Sequence, residues 1–334
     1  MKVFITGIAG FLGSHVADHF LKMGWEVSGI DSLIGGYQSN VPLAANFYHE
    51  GMDDIERLTE LTEDIDVVYH TACTAYEGLS VFSPSLINYN TIQIATNMMT
   101  AAIRSGVPRF VHCSSMARYG TQTTQPFTED MICKPQDPYG ISKYATELML
   151  QNLAEVHNIH LTIAVPHNII GPRQKYDDPF RNVASIMMNL MMQGRQPVIY
   201  GDGTQLRCFS AIEDVIECLA MFAYADYPSS QVFNIGPDEH PCTINELASK
   251  IAKQLNFGLD PIYMRGRPQE VKYATCSSNK IRKTFGYQTK IELDACLRSM
   301  INYIAENGTK DFDYHLPIEI NNANTPETWS KKLF

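Results

Sequence analysis

The stretch ITGIAGFLGSH, Ile5 to His15, limits the possible folds more than any other part of the chain. Before it, KVFIT is a short apolar run of strand character; after it, SHVADHFLKMG carries apolar residues at helical spacing. Gly7, Gly10 and Gly13 fill the join. A strand that passes through glycines directly into a helix begins a β-α unit, and such units build parallel sheets. Glycine permits a tight turn and lets an anionic group approach the backbone amides, and the helix N-terminus then stabilises that anion. The spacing is GxxGxxG rather than GxGxxG, so the glycines need support from their surroundings.

That support comes from the chain that follows. EVSGID, VVYHTA, RFVHCSS, LTIAVPH and VFNIG read as strands. MDDIERLTELTE and NTIQIATNMMTAAIRSG read as helices between them, with Gly24 and Gly106 where C-caps are expected. The pattern predicts an α/β protein: a doubly wound parallel sheet with a smaller, interleaved C-terminal domain. We expect the sheet domain over 1–165, with roughly 208–238 returning to it. The substrate domain is expected over 166–207 and 239–315, and 316–334 reads as a polar tail. The methionines at 187, 188, 191 and 192 fall at helical spacing and are expected in a core.

Asp31 ends the second strand, 18 residues after Gly13. An acid there accepts hydrogen bonds from an adenosine ribose and repels a 2′-phosphate, which points to NAD. The chain of 334 residues has net charge −10 and pI about 5.5, which argues against nucleic acid or an anionic membrane as partner. No apolar run is long enough to span a bilayer, and Met1-Lys2-Val3 enters a strand without a leader pattern. Eight scattered cysteines without CxxC fit a reducing compartment, and a cytoplasmic location is expected. His15 and His19 have HxxxH spacing with Asp18 beside them, but no third ligand is evident, and no metal is expected.

PYGISKYATE, Pro138 to Glu147, places Tyr139 one helical turn before Lys143. Tyrosine is a poor base at neutral pH unless its phenolate is stabilised, and a neighbouring ammonium would do so. Ser115 ends the strand RFVHCSS, at the sheet edge where ligands bind in such folds.

With these segments in order, the chain resembles the extended short-chain dehydrogenase/reductase family, in its NAD-dependent nucleotide-sugar epimerase and dehydratase branch. The matching segments are ITGIAGFLGSH, DVVYHTA, CSSMARYG, PYGISK, HNIIGPR, GDGTQLRCF and VFNIG, from Lys2 to about Tyr287. The resemblance implies a Rossmann fold and a catalytic set of Ser115, Tyr139 and Lys143. It places Gly7, Gly10, Phe11, Leu12, Gly13, Asp31, Met52, Asp53, His70, Ala72, Asn90, Ser114 and Pro166 at NAD, together with Tyr139 and Lys143. It places Ser115, Asn168, Arg173, Val183, Tyr200, Arg207, Arg267 and Glu270 at the nucleotide sugar. Tyr76 and Glu77 follow the cofactor-facing strand and are candidates for sugar contact; Asp177, Asp178 and Arg181 near the domain junction are weaker ones. It also implies a homodimer formed by two helices of each subunit, about Thr91–Ser105 and Tyr139–His157, in a four-helix bundle.

The two residues after Ser115 separate the reactions. The family's dehydratases carry Asp and Glu there, its decarboxylases a Glu at the second position and its 3,5-epimerases a Cys. This chain has Met116 and Ala117, neither able to act as acid or base. A 4-epimerase needs neither. The expected activity is therefore nucleotide-sugar epimerisation, most simply of a UDP-hexose at C4. A 4-ketoreductase, a GDP-sugar epimerase (suggested by HNIIGP) and a non-catalytic NAD sensor or scaffold are the alternatives.

Overall fold

A computed structural model describes all residues, Met1–Phe334. Seven strands form one parallel sheet: β1 (Lys2–Thr6), β2 (Glu26–Ile30), β3 (Asn46–Tyr48), β4 (Val67–His70), β5 (Arg109–Cys113), β6 (His160–Pro166) and β7 (Gln231–Ile235). Their order is β7-β6-β5-β4-β1-β2-β3. The order reverses between β1 and β4, so the crevice beyond their C-terminal ends is the natural ligand site of this doubly wound sheet.

The strands are apolar on both faces because both are covered. Along β1, Val3 and Ile5 enter one core with α1 (Phe11–Lys22) and α6 (Ile212–Met221), while Phe4 enters the other. That second core holds α2 (Ile55–Leu61), α3 (Ile94–Arg104) and α4 (Pro138–His157). Gly24 and Gly106, at φ +76° and +74°, follow the last turns of α1 and α3, a conformation glycine adopts without strain. NFY, which became β3, escaped the sequence reading because three residues carry no periodicity.

The remaining chain packs a smaller layer at the open edge. It contains α5 (Val183–Met192), α7 (Ile244–Leu255) and α8 (Leu293–Asn307) around a separate core that includes Met187, Met188 and Met191. Short strand pairs, Val198–Tyr200 with Ile262–Met264 and Leu206–Arg207 with Tyr273–Ala274, hold its loops. The segment 316–334, which reads as a polar tail, folds back onto the protein. Trp329 is buried between Phe82 and Phe180, and its Nε1 donates to the Pro179 carbonyl at 3.0 Å. A lone Trp in a polar stretch has no periodic signal, so only the fold reveals its partners. No helix is long and apolar enough to cross a membrane.

Candidate active site

Three adjoining cavities lie beyond the C-terminal ends of β1, β2, β4 and β5. The first, about 200 Å³, is built on the glycine turn. Gly7 sits at φ +73°, and a Cβ on Gly13 would fall 2.2 Å from the Gly7 carbonyl oxygen, so only glycine keeps this close approach. Asp31 fastens the turn to β2: one carboxylate oxygen accepts the Ala9 N–H at 2.9 Å and the other the Leu33 N–H at 2.7 Å. Burial pushes its carboxyl up, while those N–H bonds pull it down. Phe11, Leu12, Met52, Asp53, Ala72 and Asn90 border the same cavity. Asn90 lies in a π-helical turn, Tyr89–Gln93, that runs into α3. A glycine cradle with a helix N-terminus behind it and an acid at the end of β2 fits a dinucleotide.

The second cavity, about 250 Å³, holds Ser115, Tyr139 and Lys143. Asp137 caps α4 by accepting the Gly140 N–H at 3.0 Å, with Pro138 in the first turn, so Tyr139 stands on a fixed helix start. Lys143, one turn on, is buried and donates from Nζ to the Cys113 carbonyl at 2.8 Å; its Nζ lies 5.9 Å from the centre of the Tyr139 ring. Burial is the largest influence on Tyr139 and pushes its hydroxyl well above the ordinary tyrosine value, with Cys73 and Glu77 adding to it. A hydrogen bond from Ser115 and the charge of Arg181 oppose this. Lys143 borders the same cavity, its ammonium anchored by that backbone carbonyl. In the protein alone Tyr139 is therefore a neutral hydroxyl acid. Met116 and Ala117 border this cavity with hydrocarbon, and Pro166 also reaches it.

The third cavity, about 270 Å³, lies between the sheet edge and the smaller layer. Glu77, Asn168, Val183, Tyr200, Arg207, Arg267 and Glu270 all border it. Arg267 pairs with Glu270 at 2.9 Å and lies over the Tyr200 ring at 5.0 Å. Arg207 donates to the carbonyls of Val271 at 2.6 Å and Leu206 at 2.9 Å.

Four expected site residues are spent elsewhere. His70 packs beneath the turn, its Nδ1 2.9 Å from the Thr6 hydroxyl and its ring stacked on His112; burial, then Lys143, pushes it down to about 3, so it is neutral. Tyr76 is buried and donates to Asp178 at 2.6 Å rather than facing the sugar cavity. Arg173 pairs with Asp18 on α1 at 2.5 Å and borders none of the three cavities. Ser114 borders the second cavity but gives its hydroxyl to buried Glu147. His70, Ser114 and Arg173 lie in segments that match the family, Tyr76 follows the cofactor-facing strand, and the fold supplies each with a closer partner.

Residues 3–236 match the NAD-dependent epimerase/dehydratase family. The chain belongs to that family. It is 28% identical over 309 residues to a putative UDP-glucose 4-epimerase of Methanocaldococcus jannaschii, covering 91% of this chain and 99% of the relative. It superposes on Thermotoga maritima UDP-glucose 4-epimerase with UDP-glucose at a TM-score of 0.86, with 28% identity over 92% of this chain and 99% of that one. Bacillus cereus UDP-glucuronic acid 4-epimerase, in complex with UDP-glucuronic acid and NAD, superposes at 0.85, with 26% identity over 92% of this chain and 100% of that one. This family member is an NAD-dependent nucleotide-sugar epimerase.

One feature of this epimerase has no counterpart among the residues singled out in the sequence. Arg118 and Glu147 form a buried ion pair at 3.0 Å, with Arg118 over the rings of Tyr119 and Tyr144, directly behind Ser115 and Lys143. Glu147 falls four residues after Lys143 on α4, a spacing that could have flagged it. Arg181, one of the weaker candidates from the sequence, alone borders all three cavities. Trp329 and Phe334 of the folded-back tail complete the wall of the third.

Proposed function

We propose that the protein is a UDP-hexose 4-epimerase. The observation that carries this reading is a cavity that presents the Tyr139 and Ser115 hydroxyls together while Met116 and Ala117 offer it no acid or base. The glycine turn and Asp31 would hold NAD, which would supply the hydride acceptor and donor for C4 of the sugar. Tyr139 takes the proton of the sugar's C4 hydroxyl during oxidation and gives it back on return. Ser115 hydrogen-bonds that oxygen and the Tyr139 hydroxyl. Lys143, held by the Cys113 carbonyl, keeps a positive charge behind the tyrosine and stabilises its phenolate form. Arg207 and Arg267 hold the diphosphate, and Asn168 and Tyr200 border the path between diphosphate and sugar. A 4-epimerisation of this kind would consume no net oxidant or reductant, since the hydride removed at C4 would be returned there on the opposite face.

Incubation of the purified protein with UDP-, GDP-, CDP- and dTDP-sugars, without added reductant, tests this. Interconversion of a UDP-hexose and its C4 epimer without NADH consumption is expected. Stoichiometric NADH oxidation with a keto-sugar, or turnover confined to another nucleotide, would overturn it. We further propose a homodimer through α3 and α4, supported by exposed Ile141, Leu148 and Val156 along α4. Sedimentation showing only monomer would refute it.

A further inference from the structure

Glu77 begins the short helix Glu77–Ser80 and borders both the sugar-facing cavity and the cavity of Tyr139. Its side chain is exposed where the two cavities meet. Asp137, Arg207, Arg267 and Glu270 face it, and Tyr139 feels its charge from the other side. Each of the four facing groups has a partner within the protein. Arg267 holds Glu270, Arg207 donates to backbone carbonyls, and Asp137 caps α4. The Glu77 carboxylate has no hydrogen bond or ion pair within the chain; only its backbone carbonyl is used, by the Ser80 hydroxyl. It is therefore a free carboxyl beside the two arginines assigned to the diphosphate.

That placement conflicts with an anionic ligand. A diphosphate seated on Arg207 and Arg267 brings negative charge against a carboxylate that competes for the same two cations. The conflict disappears when the carboxyl carries a proton, because it then donates to an oxygen instead of repelling it. We propose that Glu77 enters the nucleotide-sugar complex as the neutral acid, donating a hydrogen bond to a diphosphate or sugar oxygen, so that binding takes up a proton from solvent. The inference rests on the epimerase reading above, which seats a diphosphate on these arginines. In the free protein, burial and then Asp137 hold the Glu77 carboxyl up at about 7, against the pull of Arg207 and Arg267, so both forms are populated near neutrality. The bound anion raises it further. Affinity is then constant below pH 7 and falls up to tenfold per pH unit above it, until the carboxyl of the complex itself ionises. Glu77 is a positioning residue in this account, since the proton it gains stays on its own oxygen.

Titration calorimetry of the NAD-loaded protein with UDP-glucose at pH 7.5, in three buffers of different ionisation enthalpy, tests this. UDP-glucose is suitable because its diphosphate diester does not titrate in this range. The slope of apparent enthalpy against buffer ionisation enthalpy counts the protons taken up. Roughly 0.5–0.8 proton per site is expected, the fraction of Glu77 ionised before binding. Glu77→Gln, which keeps the shape and can still donate a hydrogen bond, is expected to bring the count near zero and to flatten the pH dependence of affinity. Binding of UDP-glucose without proton uptake in the wild type would overturn the proposal while leaving the epimerase reading in place. Uptake that persists undiminished in Glu77→Gln would assign the proton to another group and overturn it equally. Failure of UDP-glucose to bind at any pH would overturn both.

Discussion

Replacing Arg118 with Met isolates the buried pair behind the catalytic helix. In the wild type, burial pushes the Glu147 carboxyl up to about 7, even with Arg118, the Ser114 hydrogen bond and Lys143 pulling it down. Arg118 lies at 3.0 Å and is the largest of these three opposing influences. At such a separation and an effective dielectric of about 20, the attraction is on the order of 5 kcal/mol, equivalent to several pKa units. The full loss is not felt at every pH, because Glu147 can take up a proton instead. Its folded value lies above the unfolded one of about 4.3. Its ionisation therefore costs wild-type stability as pH rises from about 4 to 7, and no more above 7. In Arg118→Met the folded value moves higher still, and the loss continues past pH 7. The stability gap between wild type and variant should stay nearly constant from pH 5 to 7, then widen by about 1.4 kcal/mol per pH unit up to about pH 9. Urea unfolding at pH 6, 7, 8 and 9 measures this gap. The double variant Arg118→Met/Glu147→Gln should show no pH-dependent widening. A gap that does not change with pH in the single variant would refute the argument, since Glu147 would then not be the group that Arg118 holds ionised.

Tyr139→Phe should lower kcat by about 10²- to 10⁴-fold while leaving retained NAD unchanged, because the ring still packs and only the transferable proton is lost; turnover together with the NAD absorbance of the purified protein checks both. Gly13→Ala forces a Cβ to 2.2 Å from the Gly7 carbonyl oxygen and should abolish NAD retention, measured after gel filtration. Trp329→Ala removes a buried ring that joins Phe82, Phe180 and the third cavity. It should cost about 3–5 kcal/mol in urea unfolding and raise KM for the nucleotide sugar more than it lowers kcat.

The alternation of apolar runs and helical spacing carried most of the fold, because a strand buried on both faces must be apolar at every position, as Val3, Phe4 and Ile5 are. The glycine turn and its acid were legible for the same kind of reason: local backbone geometry restricts residue type within a few positions. The pairing of Tyr139 with Lys143 was legible because one helical turn sets it. The electrostatics of the site were not. The Cys113 carbonyl, on a strand 30 residues before Lys143, fixes where that ammonium sits, and no local pattern announces it. Arg173 was expected at the nucleotide sugar, and the fold instead pairs it with Asp18 on α1.

By itself, then, the sequence determined the parallel sheet, the cofactor turn, the Tyr-Lys helix and the absence of an acid or base after Ser115, since each depends on neighbours within one or two turns of chain. Tertiary structure alone decided which charges meet. It set Arg118 against Glu147, left Glu77 without a partner between two arginines, and brought Trp329 from the end of the chain to the wall of the nucleotide-sugar cavity. Coulomb energy and burial depend on distance and surroundings in space, and sequence separation does not record either.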